Sequence, residues 1–395
     1  MIESHRCGGT GARVFRGAGR CLLALALASP VCPALADVRY EVVYVGGAVS
    51  ALVDINNDNV AVGSQTQFGK YFGIPDVITA VRWHDGVVDN FNFFNGQTSF
   101  PQAAAYGIND AGIISGFGSG NPSGAFLYSG SGPLTTAQLI GDLSVRSPKI
   151  NNTGQIAGGI ELSSPNRTVA FRTPAGQPID AARDALGTLG GQSSFANDIN
   201  NSGLVVGGSD TAQAGITHAF AFDTTMHDLG TAKSFGAAGN SVATAVNGEG
   251  WIVGWSDSDD IYQRAFVHYG LGPLTSADLI GTLGGNHSHA YGINDLGEVV
   301  GDSQIIPNTA TLHGFLYENG QMLDLNDLVD ASPMVISSGL GINDNGWIIA
   351  TGTSAGTSYA MLLRPIVSVP EPSVAILTVA GLGLIGLGGR RRMRG

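Results

Sequence analysis

His287 and His289, in Asn286-His287-Ser288-His289, stand two residues apart, which on a strand puts both imidazoles on one face, in reach of one metal ion. No third ligand stands at a metal-site spacing, so they read as strand or surface histidines. Gly352-Thr353-Ser354-Ala355-Gly356 has the G-x-S-x-G form of a nucleophile elbow, whose serine needs a strand-to-helix turn with an acid and a histidine later in the chain. No histidine follows Ser354, and the segment reads as a loop between two strands. Asp198-Ile199-Asn200-Asn201-Ser202-Gly203 and Asp54-Ile55-Asn56-Asn57-Asp58 alternate oxygen side chains as calcium loops do, but lack the closing bidentate glutamate. The same slots hold Gly107, Lys149 and Gly292 elsewhere, so the phrase is chiefly a turn, with calcium as the alternative. Asp257-Ser258-Asp259-Asp260 reads as a solvated loop. His218 and His313 share a repeat position with Arg264, which argues for orientation at that position and against ligation. Trp83, Trp251, Trp255 and Trp347 read as repeat-equivalent strand residues, packed between sheets or, alternatively, stacking on sugar rings. No catalytic, cofactor-binding or metal-binding residue is assigned, and the chain reads as a non-enzyme.

The elements that would position these residues come in repeats. One phrase runs from an apolar residue through Asn and a Gly or Asn three residues later to a short apolar stretch ending in Gly. It recurs at Asn56, Asn109, Asn151, Asn200, Asn247, Asn294 and Asn343, at intervals of 53, 42, 49, 47, 47 and 49 residues. Ala350 replaces the final glycine in the last copy. A second phrase follows each copy: Ala80-Val81, Ala125-Phe126, Ala170-Phe171, Ala219-Phe220, Ala265-Phe266, Gly314-Phe315 and Ala360-Met361. A weaker third one, such as Leu186-Gly187-Thr188-Leu189-Gly190-Gly191, closes several units.

Asn and Gly tolerate the left-handed backbone of a tight hairpin, so one strand enters the Asn and a second leaves the Gly. The Ala-Phe segment supplies a third strand and a stretch such as Gly320 to Leu325 a fourth. Four strands in 40–50 residues is the size of a propeller blade. The expected fold is all-β, a seven-bladed β-propeller over residues 37–367, with an open β solenoid as the alternative. Small residues at the Gly63-like positions should permit close approach of neighbouring sheets. Val38–Val45 is a strand without a local partner, and the seventh unit lacks its fourth strand, so the first strand should complete the last blade.

These phrases resemble the HAF family of extracellular repeats, named for His-Ala-Phe. His218-Ala219-Phe220 is the literal triplet and His313-Gly314-Phe315 is close to it. The resemblance spans residues 40–365 and implies export and a propeller-like fold, but no particular activity.

Composition agrees with many short strands. Of 395 residues 59 are glycine, with no Gly-X-Y period, and only 13% are charged. Residues 37–369 carry eleven basic against 29 acidic side chains, a field that repels phosphate backbones and makes nucleic acid an unsuitable partner. The three cysteines, Cys7, Cys21 and Cys32, all precede residue 37.

Both ends read as addresses. Residues 1–36 form a signal peptide: four arginines, the apolar run Cys21–Ala28, and Ala34-Leu35-Ala36, with signal peptidase expected to cut before Asp37. Residues 368–395 hold Pro370-Glu371-Pro372, then sixteen residues, apolar and glycine-rich, from Val374 to Gly389, then Arg390-Arg391-Arg392-Met393-Arg394. The apolar stretch is slightly shorter than the ~17–25 residues of a stable span, and the arginines would hold its end on the cytoplasmic side. This tripartite end resembles the PEP-CTERM sorting signal. The resemblance implies an exosortase-type protease as partner, transient inner-membrane anchoring, and delivery to the cell surface or an extracellular polysaccharide matrix. The expected role is a structural or interaction scaffold, the alternatives being a glycan-binding module and, behind it, a polysaccharide-acting enzyme.

Overall fold

The computed structural model describes residues 39–366, apart from short segments at 46–48, 68–76, 92–101, 120–122, 131–133, 135–137, 142, 164–165, 235–237 and 331. The signal-peptide and sorting-signal readings, including Ala34, Ala36, Pro370–Pro372 and Arg390–Arg392, lie outside the described residues. So does the apolar stretch 374–389; among the described residues no helix is long and apolar enough to cross a membrane.

Antiparallel sheets succeed one another along the chain as blades of a seven-bladed propeller. Blade one spans Val49 to Phe91, blade two Gln102 to Gly141, blade three Val145 to Gly187, blade four Gly190 to Gly230, and blade six Ser288 to Asp324, each with four strands in meander order. Blade five has three strands, Ser241–Val246, Trp251–Asp257 and Gln263–Tyr269, its fourth position reduced to a bridge between Phe266 and Leu279. Blade seven takes Val335–Ile342, Ile348–Ser354 and Thr357–Ile366 from the C-terminal side and Arg39–Tyr44 from the other end. The N-terminal strand pairs antiparallel from Arg39↔Ile366 to Tyr44↔Met361, closing the ring as expected and excluding the open solenoid. Closure pairs the strand Thr357–Ile366, which would otherwise be an open edge at the C-terminal side.

The Ala-Phe phrases form the core. Val81, Phe126, Phe171, Phe220, Phe266, Phe315 and Met361 are all fully buried, one from the third strand of each blade. The Gly63-like positions are also explained, although the expected cause was wrong. A Cβ on Gly63, Gly207, Gly254 or Gly301 would lie 2.0 Å from a carbonyl oxygen of the first strand of its own blade (Ala51, Phe195, Val242 and His289). The close approach lies within one sheet rather than between sheets. In the last blade the pair is reversed: Ala350 faces Gly339, where Gly207, Gly254 and Gly301 face Ala196, Ala243 and Ala290.

Each of the seven first strands carries a bulge two to four residues before its Asn, as between Leu52 and Asp54, Ala196 and Asp198, or Ala290 and Gly292. A bulge re-aims the residues beside it. Here it turns the slot two residues before each Asn toward the ring axis.

Candidate functional site

The seven asparagines lie at equivalent turns around one axial mouth of about 170 Å³. The residue three places after each is left-handed, as Asn59 (φ 61°) in the first copy and Gly112, Gly154, Gly203, Gly250, Gly297 and Gly346 in the others, which is why that slot accepts only Gly or Asn. Each Asn side chain is buried and satisfied at both ends. Its Oδ1 accepts the backbone N–H four residues on, at 2.8–3.0 Å. Its Nδ2 donates to the backbone carbonyl of the corresponding Asn in the next blade, at 2.8–3.2 Å. The seventh, Asn343, donates to the carbonyl of Asn56, so the circle closes on itself. The sequence reading treated these residues as turn formers and missed the blade-to-blade half of the role. Their invariant identity in all seven copies was the available signal, since Asp or Gly would have served the turn alone.

A second, outer circle follows. The backbone N–H of the residue after each Asn donates to a side-chain oxygen at the same position in the next blade. The contacts are Asn57 to Asp110, Asp110 to Asn152, Asn152 to Asn201, Gly248 to Asp295, Asp295 to Asp344 and Asp344 to Asn57, at 2.6–3.0 Å. The circle breaks between Asn201 and Gly248, because glycine offers no acceptor.

Beneath the mouth the bulges bring Asp54, Lys149 and Asp198 to the axial channel. Asp54 accepts from the N–H of Ile55 and of Ile108 in the next blade, and Lys149 Nζ stands 3.5 Å from its Oδ2. Asp198 likewise joins Ile199 N (2.9 Å) to Val246 N (2.9 Å) across the blade boundary. The two phrases considered as calcium loops therefore use these carboxylates to bridge blades. Burial pushes the Asp198 carboxyl up to about 6, against the opposing pull of Lys149 and its two N–H donors.

That shift has a sign. Between the ordinary aspartate value and about 6 the folded chain holds a proton on Asp198 that the unfolded chain has released, so this group's contribution to stability falls as pH rises through that window. Thermal or urea unfolding should show a wild-type loss of the order of 2 kcal/mol between pH 4 and pH 6.5 relative to Asp198→Asn, which lacks the titration. Parallel profiles for the two proteins would disprove it.

The remaining candidates are engaged locally. His289 is hydrogen-bonded through Nδ1 to Asp302 (3.0 Å) and through Nε2 to Gln263 (3.1 Å), so neither nitrogen is open to a metal; His287 Nδ1 accepts from the Gln263 N–H. Tyr291 donates to the other oxygen of the buried Asp302 at 2.9 Å, and burial raises its phenol well above the ordinary value. His218 hydrogen-bonds Asp228 at 2.9 Å and His313 hydrogen-bonds Asp324 at 2.6 Å, while Arg264 forms an ion pair with Asp260 at 2.6 Å, contacts that orient one repeat position. In the acidic run, Asp259 holds Ser234 and Asp260 holds Ser258 and Arg264. Ser354 ends a strand at a hairpin turn formed with Ala355 and Gly356.

The four tryptophans are not all equivalent, contrary to expectation. Trp251 and Trp347 both sit four residues after their Asn, whereas Trp83 lies in a third strand and Trp255 follows Gly254. Trp347 packs on the buried Trp83 with ring centres 6.0 Å apart, while Trp251 stays 43% exposed beside Tyr269, itself 69% exposed, at 5.9 Å. Buried serines are a further feature missed in the sequence. Ser194, Ser241 and Ser288 each accept from the N–H of the alanine in the preceding blade's Ala-Phe phrase, at 2.8–2.9 Å.

Residues 182–268, from the short helix of blade three to the third strand of blade five, match the family described as a protein of unknown function (DUF3466). Residues 368–392 match the PEP-CTERM protein-sorting motif. No curated protein matches the chain. Among solved structures the chain is similar to the β-propeller domain of the Trilobed protease from Pyrococcus furiosus, with 9% identity over 85% of this chain and 100% of that one, TM-score 0.38. It is also similar to Trypanosoma rangeli sialidase, with 12% identity, 87% and 58% coverage and a TM-score of 0.35. An Aleuria aurantia lectin gives 11% identity, 81% and 93% coverage and a TM-score of 0.32. None of these distant likenesses speaks to what this chain binds. The chain thus carries a seven-bladed propeller and, after it, a motif that directs exosortase-sorted export.

Proposed function

We propose that this chain is a non-catalytic scaffold of the cell surface or exopolysaccharide matrix, delivered there by its two terminal signals. The observation that carries the reading is the sorting motif over residues 368–392, which begins just beyond the last propeller strand, ending at Ile366. Signal peptidase would act after Ala36, and an exosortase-type protease at Pro370-Glu371-Pro372. Contact with the membrane is transient, through residues 374–389, with Arg390, Arg391 and Arg392 holding the cytoplasmic end. The resemblance of the repeats to the HAF family supports an extracellular setting. The closed inner circle of hydrogen bonds around the axis, with outer contacts at six of the seven blade boundaries, supports a rigid platform that displays its loops. Glycan binding is the second reading, favoured by the exposed Trp251 and Tyr269.

Intact-mass measurement of protein from the native host tests the delivery. The mature species should lack residues 1–36 and the tail from about Pro370 onward, and Glu371→Ala should accumulate uncleaved in the inner membrane. A surface protein that retains Arg390–Arg394 would end the sorting argument.

A further inference from the structure

On the face of the ring that bears the Asn mouth, the turns of blades four and five enclose a cleft of about 420 Å³. Leu204, Asp223 and Thr224 line it from blade four; Glu249, Tyr269 and Leu271 line it from blade five. Trp251 stands next to Tyr269, the two rings inclined at 56°, so that they form an angled apolar wall and not a closed stack. The two rings stand together at the edge of a concave site and leave flat faces in contact with water.

The polar groups of the cleft have a definite character. Glu249 has no hydrogen-bond partner among the described residues. Asp223 commits Oδ1 to the Thr224 and Thr225 N–H groups and to His227, leaving Oδ2 unengaged among the described residues. These contacts hold the Asp223 carboxyl well below the ordinary aspartate value, chiefly through the two backbone donors, so it is an acceptor at any physiological pH. The nearby cation, Arg172, donates through Nη1 to the carbonyls of Gly203 (2.5 Å) and Asp223 (2.9 Å), and its guanidinium lies over Phe222. Among the described residues that line it, the cleft offers a ring face and anionic acceptors and no Lys, Arg or His.

We infer that this cleft binds a pyranose unit of a neutral polysaccharide. The C–H face of a sugar ring lies on Tyr269 and Trp251, and its hydroxyls donate to Glu249 and to Oδ2 of Asp223, charge-assisted bonds of the stronger kind. Uronic acids and sulfated sugars are repelled by the same carboxylates. The inference rests on the scaffold reading for its setting and deepens it by giving the platform a ligand class.

The test uses the processed protein from the native host, in native gels cast with a neutral β-glucan, a galactomannan or polygalacturonate. Retardation is expected in at least one neutral gel and not in polygalacturonate. Trp251→Ala and Tyr269→Ala should each weaken it at least tenfold, and Glu249→Gln severalfold, without changing the melting temperature. Leu296→Ala, which removes an exposed apolar side chain elsewhere on the same face, should leave it unchanged. Four results would overturn the site: no retardation by either neutral polymer, retardation by polygalacturonate alone, equal loss with Leu296→Ala, or a Trp251-dependent self-association in sedimentation velocity that sugar does not affect. A protein that reaches the matrix yet ignores neutral glycans refutes this site alone. One that binds them but stays in the inner membrane refutes only the delivery.

Discussion

A chain lacking residues 37–46 is expected to aggregate instead of folding with a trimmed end. The strand removed pairs with Met361–Ile366 along its whole length, and its loss exposes the long third strand of blade seven as a free edge. Tyr40 is 2% exposed and packs in one cluster with Leu325, Ile336, Met361 and Leu363, while its N–H donates to the carbonyl of Leu328 at 2.8 Å. Val45 is also buried, against Leu52 and Leu362 in a cluster shared by blades one and seven. Each such side chain contributes about 1.5–3 kcal/mol through burial. Their combined loss is a large fraction of the ~5–15 kcal/mol by which a typical protein is stable. Closing a loop of this length costs more entropy than a local hairpin, but only about 0.6 kcal/mol per doubling, so a well-buried strand can offset it. Size-exclusion chromatography with light scattering would report the outcome. A monomeric deletion protein with an unchanged melting temperature would mean that the ring does not depend on its first strand.

The second large effect is expected at the inner circle. Asn200→Ala removes the bond to the carbonyl of Asn247 and the acceptor for the N–H groups of Ser202 and Leu204. Leaving such groups unpaired costs about 1–3 kcal/mol each when they are buried, and partial access to water reduces the sum to about 3 kcal/mol. Its exposed neighbour gives the comparison: Asn201 supplies a single contact, to the N–H of Asn152, and Asn201→Ala should cost less than about 1 kcal/mol. Asn200→Asp separates the two halves of the role, because it keeps the turn acceptor but turns a carboxylate oxygen toward the Asn247 carbonyl. At neutral pH it should be at least as damaging as alanine, and it should recover in acid, where the protonated carboxyl can donate. Urea unfolding of the three variants measures this. Equal costs at positions 200 and 201 would reduce the circle to ordinary turn chemistry.

The features legible in the sequence share one property: they are decided within a few residues. A hairpin forms where Asn and a left-handed Gly interrupt two apolar runs, so all seven turns could be located from local chemistry and counted. The count and the unpaired first strand were enough to derive a closed ring, since a blade short by one strand and a strand short of a blade admit one economical solution. Blade five shows the limit of such counting, for its fourth strand is reduced to the bridge between Phe266 and Leu279.

What only the tertiary structure decided lies across blade boundaries. The outward half of each Asn, the carboxylates of Asp54 and Asp198, and the buried serines all find partners in a neighbouring blade, 22–24 residues away for the serines and 42–54 for the others, except that Asn343 reaches Asn56 across the ring closure. Those partners meet only because the blades are set around an axis. The recurrent bulge belongs to the same class: it exchanges the faces of a strand, and the sequence period of two carries no mark of where that exchange occurs. Trp251 and Trp347 make the point most directly. They occupy the same slot of the same repeat, and local chemistry treats them alike. Trp347 packs against Trp83, brought from blade one by ring closure; Trp251 has Tyr269, its cross-strand partner in the same blade, beside it and remains open to solvent. The residue type set the surface available in each case, and the neighbour, Trp83 supplied by ring closure or Tyr269 from the same blade, determined whether that surface packed against the core or stayed on the rim.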